Sequence, residues 1–257
     1  ESYQLANLDD VDERSRTILE QLIMNNDIIQ LKVKQRLNKL ASQDFDNIEC
    51  WQVVEAFNKS QLTWCRRQLH GMNSLTEGDE QSKRRIDDLQ ILLTDKVIKF
   101  EKQPILVRSE ELPTNYFEWK RISILAANEC CDNKRKMIAY LAEEANVDEL
   151  LRDNNKRPSF EWGETFCTLK SNKIHVYTNN EFTITEGTLV YYRKPRYIQI
   201  KGCIDPYTKE MSVVDVECEF KDDIIELIID EAVKILAGDI ESHNQQQTAT
   251  SQVESNN

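Results

Sequence analysis

The hydrophobic period of this chain changes once, near Pro158, and that change limits its fold more than any other feature. Upstream, apolar residues recur at three- and four-residue spacings, the pattern of amphipathic helices. Downstream, from Pro158 to Cys218, Thr, Val, Ile and aromatic residues gather in short runs between turn-forming residues. Helical and strand patterns kept apart along the sequence predict an α+β class.

Within the first part, Leu8, Val11, Ile18, Leu19, Leu22 and Ile23 predict a first helix, with Asp9 and Asp10 as acidic caps. Ile28, Ile29, Leu31, Val33, Leu37 and Leu40 predict a second. A third runs between a cap at Asp46 or Asn47 and a stop at Gly71, with Ile48, Trp51, Val54, Cys65 and Leu69 on one face. A fourth covers about Glu80 to Phe100, with Ile86, Leu89, Leu93 and Val97 inward. Pro104 and Pro113 bracket an extended piece, Ile105-Leu106-Val107, and two more helices follow at Tyr116–Ala127 and Arg135–Leu151. None is long enough for a coiled coil, so residues 1–157 are expected to form a helical bundle body.

Residues 158–218 are expected to form a β-rich insertion or arm. Cys167-Thr168-Leu169 and Ile174 to Tyr177 flank a turn at Lys170-Ser171-Asn172, and Phe182-Thr183-Ile184 leads to a second turn at Glu186-Gly187. Leu189–Tyr192 and Tyr197–Ile200 read as strand halves on either side of Pro195, which belongs at an edge or bend. Residues 219–240 predict a closing C-terminal helix on the helical body, with Asp222, Asp223 and Glu226 near its N-terminus and Gly238 near its stop. Its stripe of Ile224, Ile225, Ile228, Ile229, Ala232, Ile235 and Leu236 demands burial. The polar stretch 241–257 has no core-forming pattern and is expected as an extended tail docking on a partner.

Several function classes lose support here. Six glycines in 257 residues include no GxGxxG, GxxxxGK[ST] or GxSxG, so nucleotide-binding and hydrolase-elbow motifs are absent. A net charge of -12 opposes a protein that grips nucleic acid with its whole surface. No apolar run reaches membrane-spanning length, and the acidic start does not read as a signal peptide. Seven cysteines without a CxxC pair read as reduced thiols made in a cytoplasm. Adjacent Cys130 and Cys131 diverge too much to clamp a metal, and no cofactor is expected.

Three constellations carry possible chemistry. Asp205 followed by Glu219-Phe220-Lys221 matches the loose carboxylate and Glu-x-Lys spacing of a metal-dependent nuclease, against the plainer reading of Lys221 at a helix start. Tyr191, Tyr192 and Tyr197 interleave with Arg193, Lys194 and Arg196. Exposed on one basic face, they would stack single-stranded nucleic acid; the plainer reading is an amphipathic strand with the tyrosine bodies packed and the charges outward, and between the two lies a protein interface rich in Tyr and Arg. Cys167 with His175 forms a nucleophile pair in principle, with chance cross-strand proximity as the better explanation.

The second half, about Leu112 to Glu241, resembles head-to-tail adaptor (connector ring) proteins of tailed bacteriophages, most closely crAss-like phage virion proteins. The resemblance lies in Leu112-Pro113-Thr114-Asn115-Tyr116, Arg157-Pro158-Ser159, Tyr191-Tyr192-Arg193-Lys194-Pro195, and Cys218-Glu219-Phe220 running into Asp223-Ile224-Ile225 and Ile229 to Ile235. It implies a virion structural protein and no enzyme. A homo-oligomeric ring, commonly of twelve copies in such proteins, would sit between portal and tail, extend the DNA channel without binding DNA specifically, and recruit tail ring or hub proteins. Assembly would take place in the host cytoplasm, with no membrane involved. The expected partner interface comprises Tyr191, Tyr192, Arg193, Arg196 and Tyr197, with Ser242, His243, Asn244, Gln245, Gln246 and Gln247 of the tail. Another tail-hub or ring protein is the alternative, with the nuclease and the single-strand binder behind it.

Overall fold

The computed structural model of the chain describes residues 24–40, 48–70, 86–101, 106–128, 131–205, 208–239 and 253. The first expected helix and the tail residues Ser242, His243, Asn244, Gln245, Gln246 and Gln247 lie outside the described residues. Two compact units divide the chain: Leu92–Lys194 is one, and the described residues before and after it make the other.

The central unit is a closed seven-stranded β-barrel. Its strands are β1 (Leu93–Glu101), β2 (Leu106–Glu111), β3 (Tyr116–Asn128), β4 (Cys131–Leu141), β5 (Glu164–Lys170), β6 (Lys173–Tyr177) and β7 (Thr183–Arg193). Around the barrel they run β1-β2-β6-β5-β4-β3-β7, and β7 pairs back onto β1 with Leu93 opposite Tyr192. Only β4 and β5 are parallel, which requires a crossover connection. Residues 142–163 supply it, with a short helix, α3 (Val147–Arg152), on the way. Closure leaves no exposed sheet edge to manage.

Ile98, Val107, Ile122, Ile124, Met137, Val176 and Leu189 belong to the barrel's main apolar cluster. A second cluster joins Phe166 and Tyr177, their rings stacked at 4.8 Å, to Val147 of α3. The β5–β6 hairpin turns at Ser171 and Asn172, both with positive φ (51° and 59°), the geometry of a tight hairpin turn.

This architecture corrects the expected helical bundle body with a β arm. Three expected helices contain strands: Glu80–Phe100 is helical over 86–92 and ends as β1, Tyr116–Ala127 lies within β3, and Arg135–Leu151 begins in β4 and turns helical only from Glu144. The reason lies in apolar residues on both strand faces. In β3 the buried series Ile122, Ile124, Ala126 has period two, but Phe117 and Leu125 add apolar residues that imitate a helical stripe. In β4, Met137 and Ala139 are buried while Ile138 and Tyr140 between them are exposed. The β5–β6 hairpin falls where the alternation indicated strands, whereas β7 runs unbroken from Thr183 to Arg193 through Glu186-Gly187, where a turn was expected.

The second unit holds α1 (Asn26–Leu40), α2 (Cys50–His70) and α4 (Asp222–Asp239). Helix α4 packs on α1 and α2. Ile29, Val33 and Leu37 on α1 and Ile225, Ile228 and Ala232 on α4 are buried as their stripes imply, while α2 buries Val53, Phe57, Trp64 and Cys65 and leaves Trp51, Val54 and Leu69 of its expected face only half-buried. Ion pairs frame the contacts. Arg36 and Lys32 of α1 meet Glu226, and Arg36 also meets Asp230. Arg67 of α2 makes a two-pronged pair with the buried Glu231 at 3.0 and 3.1 Å. Burial opposes the charge on Glu226, yet Lys32 and Arg36 keep its carboxyl below the usual range.

A disulfide joins Cys50 to Cys203, whose Cα atoms are 5.9 Å apart, and corrects the expectation of reduced thiols throughout. The two are 153 residues apart in sequence, so no local spacing signals the pair. Cys65, Cys167 and Cys218 are free thiols. Among the described residues, no helix is long and apolar enough to cross a membrane.

Candidate functional site

Residues 195–218, expected as the end of the β-rich insertion, belong to the helical unit. Two asparagines fix this segment there. Asn58 of α2 accepts the Ile198 N–H (2.9 Å) and donates to the Ile198 carbonyl (3.2 Å), so one side chain stands in for a neighbouring strand. The buried Asn26 of α1 donates from Nδ2 toward the carbonyls of Gln199 and Val216, each at 3.0 Å, and toward Asp215. Phe220 meets the Trp64 ring edge-on at 5.3 Å.

Between these anchors the chain makes an irregular hairpin. Gln199 and Val216 exchange both backbone hydrogen bonds (3.1 and 2.9 Å), and Ser212 donates to Cys203 at 2.8 Å. Gly202 at φ 84° supplies a backbone conformation that side chains disfavour, and Lys209 adopts φ 62° near the far end. The Cys50–Cys203 bond ties the hairpin to the first residue of α2.

A cleft of about 460 Å³ opens between this hairpin and the start of α2. Trp51, Val54, Ile200, Met211, Val213 and Val214 give it apolar walls. Glu55, Asp205 and Glu210 add carboxylates, and no Lys or Arg is among its described lining residues. Its volume lies within the roughly 300–1,000 Å³ of ordinary binding clefts. Met211, Val213 and Val214 are 60%, 81% and 59% exposed, a concentration of water-facing apolar surface that marks contact sites. Sequence reading missed this feature because it took the region for strand. The available signal was Met211-Ser212-Val213-Val214, an apolar run with no alternating polar partner.

The residues singled out from sequence fall apart. Glu219 has a side chain only 2% exposed and accepts from the Arg196 backbone N–H (3.0 Å) and Nε (3.1 Å). Lys221 pairs with Asp87, whose carboxylate raises the Lys221 pKa and so opposes a base role. Asp205 accepts the Thr208 N–H within its own loop. Among the described residues, no group of three or more His, Cys, Asp or Glu is placed to hold a metal. The nuclease constellation is therefore not assembled by these side chains.

The tyrosines do not form an exposed stacking face either. Tyr191 is buried, its hydroxyl donating to Asn115 Oδ1 at 2.9 Å and its ring stacked on Tyr116 at 5.7 Å. Tyr192, also buried, lies under the Lys120 ammonium, 5.9 Å from the ring centre. Arg193 is half-buried at the end of β7, Arg196 is exposed but engaged with Glu219, and of the three tyrosines only Tyr197 is exposed. Two of the segments that carry the adaptor resemblance thus hold one end of the barrel together, since the Lys194 N–H also donates to the Asn115 carbonyl at 2.8 Å. Cys167 and His175 stand on the paired strands β5 and β6, but burial pushes the Cys167 thiol up to about 12, the opposite of an activated nucleophile.

No family model matches this sequence, and no curated protein matches it.

Proposed function

We propose that this protein is a structural subunit that acts by assembly: a ring-forming adaptor between portal and tail of a tailed bacteriophage virion, extending the DNA channel and recruiting tail components. The observation that carries the assembly reading is the exposed apolar run Met211, Val213, Val214 beside a cleft on a covalently pinned hairpin. A rigid apolar surface lowers the entropic cost of docking a large partner. The placement in a virion is supported by the sequence resemblance of residues 112–241. The charge of -12 suits a channel wall, because an acidic surface repels passing phosphates.

The experiment is electron microscopy of the purified full chain together with its mass in solution. Copies arranged about a common axis, recovered also in purified virions in matching stoichiometry, are the expected result. A monomer at all concentrations, absent from particles, refutes the reading.

A further inference from the structure

We propose that the cleft is the socket for the outer face of β4 in a second copy of the chain. The inference rests on the assembly reading in one respect, that copies meet, and adds which surfaces touch.

The socket side is apolar and acidic. Trp51, Val54, Met211 and Val213 offer carbon surface, and Glu55, Asp205 and Glu210 offer negative charge. The plug side is apolar and basic. Along β4, Met137 and Ala139 are buried, so the strand's alternation puts Lys134, Lys136, Ile138 and Tyr140 on the opposite face. All four are exposed, Ile138 by 58% and Tyr140 by 41%. An isoleucine that far out contributes little to its own barrel. Glu164 stands in register with Ile138 and is the acid nearest it on the paired strand, against the two lysines of β4.

Each half supplies what the other lacks. Ile138 and Tyr140 would enter the cleft and remove apolar surface from water on both sides. Lys134 and Lys136 would then lie over the cleft's carboxylates, and such complementarity fixes register and excludes like-charged competitors. Because the two surfaces are different parts of one chain, the contact is head-to-tail and repeats until it closes.

The test is a charge-reversal set on the full chain: Glu55→Lys with Glu210→Lys in the cleft, and Lys134→Glu with Lys136→Glu on β4. All four residues are exposed, and circular dichroism checks that each variant folds. Self-association is read by sedimentation velocity. Each double reversal is expected to weaken it by roughly tenfold or more, and either the fourfold variant or an equimolar mixture of the two doubles is expected to restore it. Association unchanged by both double reversals overturns the socket and leaves the ring reading standing. Restoration as open chains instead of closed rings supports the socket and overturns the ring. A wild-type chain that stays monomeric overturns both. Binding of a basic, apolar peptide to the cleft without any effect on self-association overturns a second copy as the occupant.

Discussion

Single positions in this protein are decided by what surrounds them. Gly187 sits in β7, opposite Ile98 and Ile124, where an added Cβ would lie 2.8 Å from Phe100 Cε2 and 3.2 Å from the Ser123 carbonyl oxygen. Gly187→Ala is therefore expected to destabilise the barrel by about 1–3 kcal/mol, as overpacking does, measured by urea denaturation. The thiols make a second case. Burial raises Cys65 to about 12, with Glu219 and Cys218 adding to the shift, and burial alone raises Cys167 to about 12, both from 9.0. Each native thiol keeps its proton where the unfolded thiol loses it. Their contribution is thus complete below pH 9 and is lost as pH rises toward 12, at most about 1.4 kcal/mol per pH unit for each group. Denaturation series above pH 9 are expected to show this fall, and Cys65→Ala is expected to reduce its slope. His175 gives the opposite limb. Burial, then Arg108, lowers its pKa, so the native state favours the neutral ring and stability falls as pH drops below 6.5.

At the scale of elements, α4 shows how a helix is fixed to its neighbours. Glu231 is buried and receives both Arg67 nitrogens. Glu231→Ala leaves that guanidinium without its carboxylate and is expected to cost about 1–3 kcal/mol, with Glu231→Gln losing less. Helix α4 was legible because its apolar stripe is one-sided and acids mark its start. Strands β5 and β6 were legible because a turn pair, Ser171-Asn172, separates two runs rich in β-formers. β3 and β4 were not, since a barrel strand bearing Ile138 or Leu125 outward has no clean alternation to read. The cleft was hidden for another reason: it joins Trp51 to Met211 and Val213, and only pairing through Asn58, Asn26 and the Cys50–Cys203 bond brings those stretches together.

For the whole molecule, the division into two units makes its own prediction. Residues 92–194 contain all the strands among the described residues, a self-contained apolar cluster and a closed hydrogen-bond circuit. Expressed alone, they are expected to give a monomeric β-rich protein with a single cooperative thermal transition. Heterogeneous or aggregated material would show that the barrel relies on the helical unit. The disulfide belongs to the other unit and encloses the barrel's entire sequence within its loop. Its reduction is expected to lower the melting temperature of the full chain and to leave that of the excised barrel unchanged.

The pairing of Leu93 with Tyr192 has a kinetic meaning. Once the barrel has closed, the two points where the chain enters and leaves it are fixed roughly 5 Å apart, one strand spacing. The segments that carry α2 and α4 are then joined through residues 71–92 and 194–221, about 50 residues, where the open chain has about 150 between them. The logarithmic cost of closing a loop falls by about 1 kcal/mol, so barrel closure favours docking of α4. A change that slows closure, such as Gly187→Ala, should delay the helical signal as much as the strand signal in refolding, although Gly187 touches no helix.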